Sequence, residues 1–505
     1  MYSNIIWIFA TSLLIAISCK NIPAEDKEEE WPMPEASNPS FHQRFLSADS
    51  PQPLSNVYVE GGANVYFGIP YAKPPVGDLA FQLPQPLSME EFKKLLDKRD
   101  KNKFGNFCPQ DRKDVKEQLE KYGLTMSLDC LTLNIFTPLK TSEPLPVYVA
   151  LHPGALLYAS AAYYGVRGIM ENFISQDIVV VTVNYRLGAY GFYKFPGDEP
   201  GHSARGLYDQ WLALQWVQEH IHRFGGDSNN VTLCGFSGGA CKPFPSTASS
   251  PPKESSPLFR NLILQSGSAD VCRRGGVTIQ NYTKQIANEI CPNEESEKLR
   301  ECFASKPSEI ILAAQGKYAD FQFEISLPDG PFKQPDDMAK IAAQSKLNVL
   351  IGTVRDEFVS FDRLLTKDAG SGTGNFDQTM MLNIINNYII PGVAQDQQIK
   401  LISIGMDLAG HYLKHKEDKN ATYWEIMELL KDGVFVNNAV SEAERMASSG
   451  HEVYMYKFLH PAPIYQNVST RPDIKIVVPH GADSDYMHMN EYRWVPYSYR
   501  ANQEE

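Results

Sequence analysis

The chain is short of positive charge. Lys and Arg number 47 against 60 Asp and Glu, a formal net charge of −13 over 505 residues. That balance argues against a nucleic-acid partner and against attraction to anionic lipid. Heptads and internal repeats are missing, which leaves coiled-coil and solenoid architectures without support. Beyond residue 17 there is no apolar run of spanning length, and stable membrane insertion is not expected. The early run, Ile5 to Ile17, is too short for a comfortable span. It suits the core of a signal peptide, with Ala16 and Ser18 as small residues for cleavage, although no positive charge precedes it. Residues 1–18 therefore read as a signal peptide, and the mature protein as secreted and extracellular. Residues 19–55, rich in Pro, Glu and Ser, read as a flexible acidic lead-in, and residues 56–505 as the folded domain.

Eight cysteines agree with export. Cys19 falls at the signal segment. Cys108 and Cys130 flank a polar loop, and Cys291 and Cys302 flank a shorter one, so both pairs have the look of local disulfides. Cys234, Cys241 and Cys272 remain, an odd number that leaves at least one thiol. Cys234, inside an apolar run, is most simply a buried one, and whether Cys241 and Cys272 pair is open. Asn230, Asn281, Asn420 and Asn467 each begin an N-x-S/T sequon that export would make available to glycosylation.

Short apolar runs alternate with helical patterns through the folded region. Strands are expected at Val147–Leu151, Ile178–Val183, Val231–Cys234, Leu262–Leu264, Val349–Ile351 and Val453–Phe458. Their near-continuous apolar character suits a mostly parallel sheet covered on both faces. The clearest helix runs over about Asp209 to Phe224, with Leu214, Val217, Ile221 and Phe224 on one face and Gly225-Gly226 as the stop. Strand, helix, strand in this order implies an α/β fold. Residues 375–449 read as mainly helical, a cap or flanking layer.

The stretch Val231 to Ala240, VTLCGFSGGA, contains a G-x-S-x-G pattern around Ser237. A serine at the apex of a strand-to-helix turn takes a strained backbone, and flanking glycines remove the Cβ atoms that would clash there. A hydroxyl so placed is a poor nucleophile until a base takes its proton and an acid orients that base. The acid belongs just beyond a later strand, where Asp356 and Glu357 follow the Val349 run. The base belongs later still. His480, between Pro479 and Gly481, is placed at a strand end, with His460 and His488 as rivals by position. An oxyanion site needs a small-residue turn after an earlier strand, and His152-Pro153-Gly154-Ala155 fits.

At this point the chain resembles the type-B carboxylesterases and cholinesterases, of the α/β-hydrolase fold. The resemblance runs from about Val57 to His488. It is carried by Phe67–Phe81 (FGIPYAKPPVGDLAF), Ser127–Pro138 (SLDCLTLNIFTP), Asn184–Phe192 (NYRLGAYGF), Gly206–Asp227, GFSGGA, Leu262–Ser268 (LILQSGS), IGTVRDE and Val478–Tyr486 (VPHGADSDY). It implies a central, mostly parallel twisted sheet with helices on both faces and a helical cap region. It further implies Ser237 as nucleophile, Glu357 rather than Asp356 as acid, His480 as base, and Gly154, Ala155 and Gly238 as oxyanion donors. Cys108–Cys130 and Cys291–Cys302 fall where the family has disulfides, and Arg186 with Asp209 matches a buried structural ion pair. No cofactor or metal is implied. The expected partner is a small-molecule ester, hydrolysed through an acyl-enzyme.

Several positions depart from the family pattern. Phe236 stands where glutamate usually precedes the serine, and Cys241-Lys242-Pro243-Phe244-Pro245 predicts a short or broken helix after it. The usual HGGG is HPGA, in which Gly154 and Ala155 keep their N–H groups. The family's arginine and paired glutamate are replaced by Ala80 and Leu128, which avoids an orphaned buried charge. Relatives also continue beyond the point where this chain ends. These departures leave a second expectation beside the esterase, a catalytically impaired secreted binding or adhesion protein. Residues 109–129 hold no tryptophan on which a choline group would rest, so a neutral ester is the expected substrate.

Overall fold

Among the described residues of the computed structural model, eight strands form one sheet: β1 (Ala63–Pro70), β2 (Thr132–Pro138), β3 (Leu145–Leu151), β4 (Val179–Val183), β5 (Gly226–Phe236), β6 (Asn261–Gln265), β7 (Asn348–Val354) and β8 (Glu452–Phe458). The structure describes residues 62–111, 115–116, 119–120, 123–139, 142–199, 202–241, 258–269, 277–318, 346–359, 406–415, 418–461 and 477–489. Residues 1–55, Pro243, Pro245, Cys272 and Asn467 lie outside them. Spatial order is β1-β2-β4-β3-β5-β6-β7-β8. From β4 onward in that order every pairing is parallel, while β1–β2 and β2–β4 are antiparallel.

The six expected strands are present, five of them longer than expected and β4 one residue shorter. β1 and β2 had no counterpart among the apolar runs. The central β4, VVVTV, is buried throughout, as a strand covered on both faces must be. The expected helix begins earlier than its apolar face suggested. It is α1 (Arg205–His220), tightened into a 3-10 turn over Ile221–Phe224. Gly225 then closes it in the left-handed region at φ 82°, where a side chain would be strained. Leu214, Val217, Ile221 and Phe224 are all buried.

Further helices are α2 (Val277–Ile290), α3 (Ser308–Tyr318), α4 (Lys419–Leu430), α5 (Asn437–Ser448) and α6 (Ala482–His488), with a π-helical turn, Lys431–Val436, between α4 and α5. Tyr423, Ile426 and Leu430 of α4 pack with Val354 at the end of β7 and Val478. That cluster fixes the two loops on which the site depends. Among the described residues no helix is long and apolar enough to cross a membrane.

Both expected disulfides form, Cys108–Cys130 with Cα atoms 5.1 Å apart and Cys291–Cys302 with 6.3 Å. Cys234 is a buried thiol. Cys241 is disulfide-bonded, with its partner outside the described residues. Asn230 lies within β5, and Asn281 and Asn420 lie within α2 and α4. Arg186 and Asp209 are fully buried and joined by bonds of 2.7 Å and 2.8 Å, with Arg186 also donating to the carbonyls of Ala80 and Gln82. Ala80 is buried in an apolar cluster against which Leu128 packs. Their shared environment explains why the two charges can be absent together: an isolated buried charge there would meet no partner.

Candidate active site

Ser237 directly follows β5 and opens a single 3-10 turn, Ser237–Ala240. Its φ of 51° is left-handed, a strain of about 1–2 kcal/mol for a residue with a side chain. The neighbouring glycines are required by contact. A Cβ on Gly235 would lie 2.2 Å from the Gly239 carbonyl oxygen, and one on Gly239 would lie 2.2 Å from that of Leu151. At Gly238 an added Cβ would lie 2.7 Å from the Ala155 nitrogen and 2.8 Å from that of Leu156. The turn after the serine is thus pressed against the loop after β3. The helix expected to be short is one turn within the described residues, and Cys241 leaves it at ψ 66°.

The β3 loop is itself unusual. Gly154, Ala155 and Leu156 take φ of 104°, 52° and 63° in succession. Its anchors are specific: His152 stacks on Tyr185 with ring centroids 4.3 Å apart, Tyr185 Oη donates to the His152 carbonyl at 2.7 Å, and Gly188 N donates to that of Leu156 at 2.7 Å. The Gly154 carbonyl accepts from Leu157 and Tyr158. Among the described residues the Gly154 and Ala155 amides donate to no protein acceptor. Held as a rigid turn beside Ser237, such amides can serve an anion that develops there.

The two adjacent acids after β7 have separate partners. Glu357 is fully buried; its Oε1 accepts from Val354 N at 2.9 Å and its Oε2 meets His480 Nδ1 at 2.6 Å. Asp356 instead accepts from Arg355 Nε and from Val478 N, each at 2.8 Å, while its own N–H donates to the Val478 carbonyl at 3.0 Å. Asp356 therefore ties the β7 loop to the segment that delivers His480, and of the two acids it is Glu357 that touches the imidazole. With Nδ1 engaged by the carboxylate, the acid fixes the orientation of the ring and its other nitrogen, Nε2, is buried.

The rival histidines lie elsewhere. His488, at the end of α6, is buried among Tyr148, Tyr164 and Phe173, and burial pushes it down to about 4. His460 is exposed beside Tyr486.

Two rings lie against His480: Phe236, with centroids 5.1 Å apart, and Phe435 of the π-helical turn, at 4.9 Å. Phe435 was not singled out by sequence, nor was Asp483. Asp483 is buried three residues after His480; Tyr456 Oη donates to it, and so does Gln265 Nε2 at 3.2 Å. Desolvation pushes its carboxyl up to about 6, with the Glu357 charge adding to the rise.

Strand order, and the gathering of these groups at the carboxyl ends of β3, β5 and β7, are those of an α/β hydrolase. Residues 55–505 match the carboxylesterase family. The chain belongs to that family and is a carboxylic ester hydrolase. Human carboxylesterase 5A is 31% identical over 428 residues, which cover 81% of this chain and 68% of the relative. Mouse pyrethroid hydrolase Ces2a is 30% identical over 479 residues, 90% of this chain and 80% of the relative. A medium-chain fatty acyl-CoA hydrolase precursor of Anas platyrhynchos is 30% identical over 423 residues, 79% and 71% respectively.

Proposed function

We propose that residues 56–505 form a secreted serine esterase in which Ser237, His480 and Glu357 act as the catalytic triad on neutral carboxylic esters. His480 Nε2 takes the proton of Ser237 Oγ as the oxygen attacks the ester carbonyl. The N–H groups of Gly154, Ala155 and Gly238 receive the oxyanion. His480 returns the proton to the leaving alcohol, and water repeats the cycle on the acyl-enzyme. Glu357 holds the imidazole in the tautomer with Nδ1–H and offsets the charge it gains. The observation that carries this reading is the 2.6 Å contact between the buried Glu357 and His480 Nδ1.

Neutral esters are favoured because the Cys108–Cys130 loop holds no tryptophan for a quaternary ammonium. Secretion is supported by the apolar segment at Ile5–Ile17 and by the disulfides; the four sequons are then candidate glycan acceptors. The test is hydrolysis of p-nitrophenyl acetate by protein purified from culture medium, beside Ser237→Ala. Loss of turnover in the variant is expected, with a mature N-terminus close to residue 19. A folded wild type as inert as the variant would overturn the triad and bring forward the binding-protein reading.

A further inference from the structure

The imidazole of His480 is contacted by two phenylalanines that come from different parts of the chain. Phe236 reaches it from the end of β5, with an interplanar angle of 37°, and Phe435 from the π-helical turn between α4 and α5, at 43°. Each ring is held by neighbours of its own. A Cβ added to Gly481 would lie 2.5 Å from Phe236 Cζ, so glycine next to the histidine is what lets that ring approach. Tyr163 packs on Phe236 with centroids 6.4 Å apart. Phe358, the residue after Glu357, packs on Phe435 at 5.7 Å. A π-helical turn inserts a residue into a helix and so rotates its side chains away from the α-helical register; here the turn carries Phe435 to the site.

We infer that Phe236 and Phe435 are positioning residues that clamp the His480 ring and stabilise its protonated form through their π faces. This rests on His480 being the base of the proposed triad. A cation within about 6 Å of an aromatic centroid is attracted by the ring quadrupole, and more strongly when water is excluded. His480 is 6% exposed, so the imidazolium formed during turnover has little water around it. The titratable groups that face it are Glu357 from the β7 loop and Asp483 from α6, with Tyr456 of β8 bonded to Asp483 and Asp356 paired with Arg355 one position away. Glu357 supplies the only direct carboxylate contact among the described residues. The two rings supply, without a net charge, part of what a glutamate before the serine would supply.

The test keeps the shape of the rings and drains their quadrupoles. Phe236 and Phe435 are each replaced by 4-fluoro- and then 3,4,5-trifluorophenylalanine, and kcat, KM and the pH profile are measured on p-nitrophenyl acetate. With the rings weakened, the imidazolium is less stable. The plateau of kcat/KM is expected to fall about tenfold for each trifluoro ring. The acid limb should move to lower pH, graded from one fluorine to three, with KM nearly unchanged. A fall in the plateau with no movement of the acid limb is what mere misplacement would give, and it would overturn the inference. So would fluorinated enzymes that match wild type.

A second readout separates this inference from the triad itself. The histidine resonances of the full chain, with His480 identified by His480→Gln, are titrated by NMR, which needs no turnover. If Ser237→Ala shows that the triad reading is wrong, a His480 midpoint that falls on fluorination still supports the clamp. An unmoved midpoint sinks it.

Discussion

Asp483→Asn isolates one buried charge and predicts its effect on stability as a function of pH. The Asp483 carboxyl is 5% exposed, with Tyr456 Oη and Gln265 Nε2 donating to Oδ2 and Ser484 N donating to Oδ1 at 2.9 Å. Those bonds favour the anion, yet desolvation outweighs them, and the carboxyl rises from 3.8 to about 6. Between those values the folded chain holds a proton that the unfolded chain has lost. Stability contributed by this group is therefore full below about pH 4, declines as pH rises to about 6, and is level above that. Two pH units at 1.36 kcal/mol each make a loss of about 3 kcal/mol. Asparagine carries no such slope but turns an NH2 toward one of the donors, at a cost of about 1–2 kcal/mol. The variant should be about 1–2 kcal/mol more stable than wild type at pH 7.5 and less stable than wild type at pH 4. Urea unfolding of both proteins at pH 4, 5, 6 and 7.5, with disulfides oxidised, measures the difference. A difference that is constant across those pH values would refute the assignment of a proton to buried Asp483.

Four further substitutions test the site and its supports. Glu357→Gln should lower kcat by about 10³–10⁴ with KM little changed, because a neutral amide neither holds the tautomer nor offsets the imidazolium. Asp356→Asn, one residue away but bonded to Val478 and Arg355 instead, should keep at least about a tenth of kcat; steady-state kinetics of the pair checks both. Gly154→Ala puts a Cβ 2.1 Å from the Tyr158 carbonyl oxygen at φ 104°, and displacing the donor loop should cost about 10²–10³ in kcat. Arg186→Met leaves Asp209 buried without its cation and should cost about 3–5 kcal/mol in urea unfolding, whereas Arg186→Met with Asp209→Leu should cost less.

How far these features can be read without coordinates depends on what each rests on. Most of the parallel strands are legible because burial on both faces demands near-continuous apolar runs, as in β4. The edge strand β8 has such a run without the expected cover, with Tyr454 and Met455 exposed. β2 escapes that criterion: Thr132, Asn134 and Thr137 are buried in it, and their polar groups are satisfied across the fold rather than exposed. Asn134 accepts from Gly68 N at 2.9 Å and donates to Thr182 Oγ1 at 3.0 Å, and Thr137 donates to the Phe224 carbonyl at 2.9 Å. Ser237 is marked by local chemistry, since only small neighbours fit its turn. The choice between Asp356 and Glu357 is not local, because both follow the same strand and only the path of the returning loop decides which reaches His480. Phe435 leaves no signal at all. It is 45 residues from His480 in sequence, and its contact depends on one irregular turn inside an otherwise regular helical pair.

The positions at which the chain departs from its family bear on whether the site is altered or abandoned. Loss of one member of a buried charge pair leaves the other exposed to the full desolvation cost, several kcal/mol, whereas loss of both can be neutral. Ala80 and Leu128 follow the second course, for they share one apolar cluster. Phe236 is a different case, since an acid is replaced by a ring that packs on His480 and depends on the bare Gly481 beside it. Gly481 at φ 86° and the Glu357 bond to Val354 N also serve the backbone, but drift after loss of function would not be expected to preserve the strained, left-handed serine. A site rebuilt around an uncharged neighbour of His480 accounts for that serine. On that account Phe236→Glu should bury a carboxylate where Phe236 is 2% exposed, remove the ring packed on His480, and give a less active enzyme.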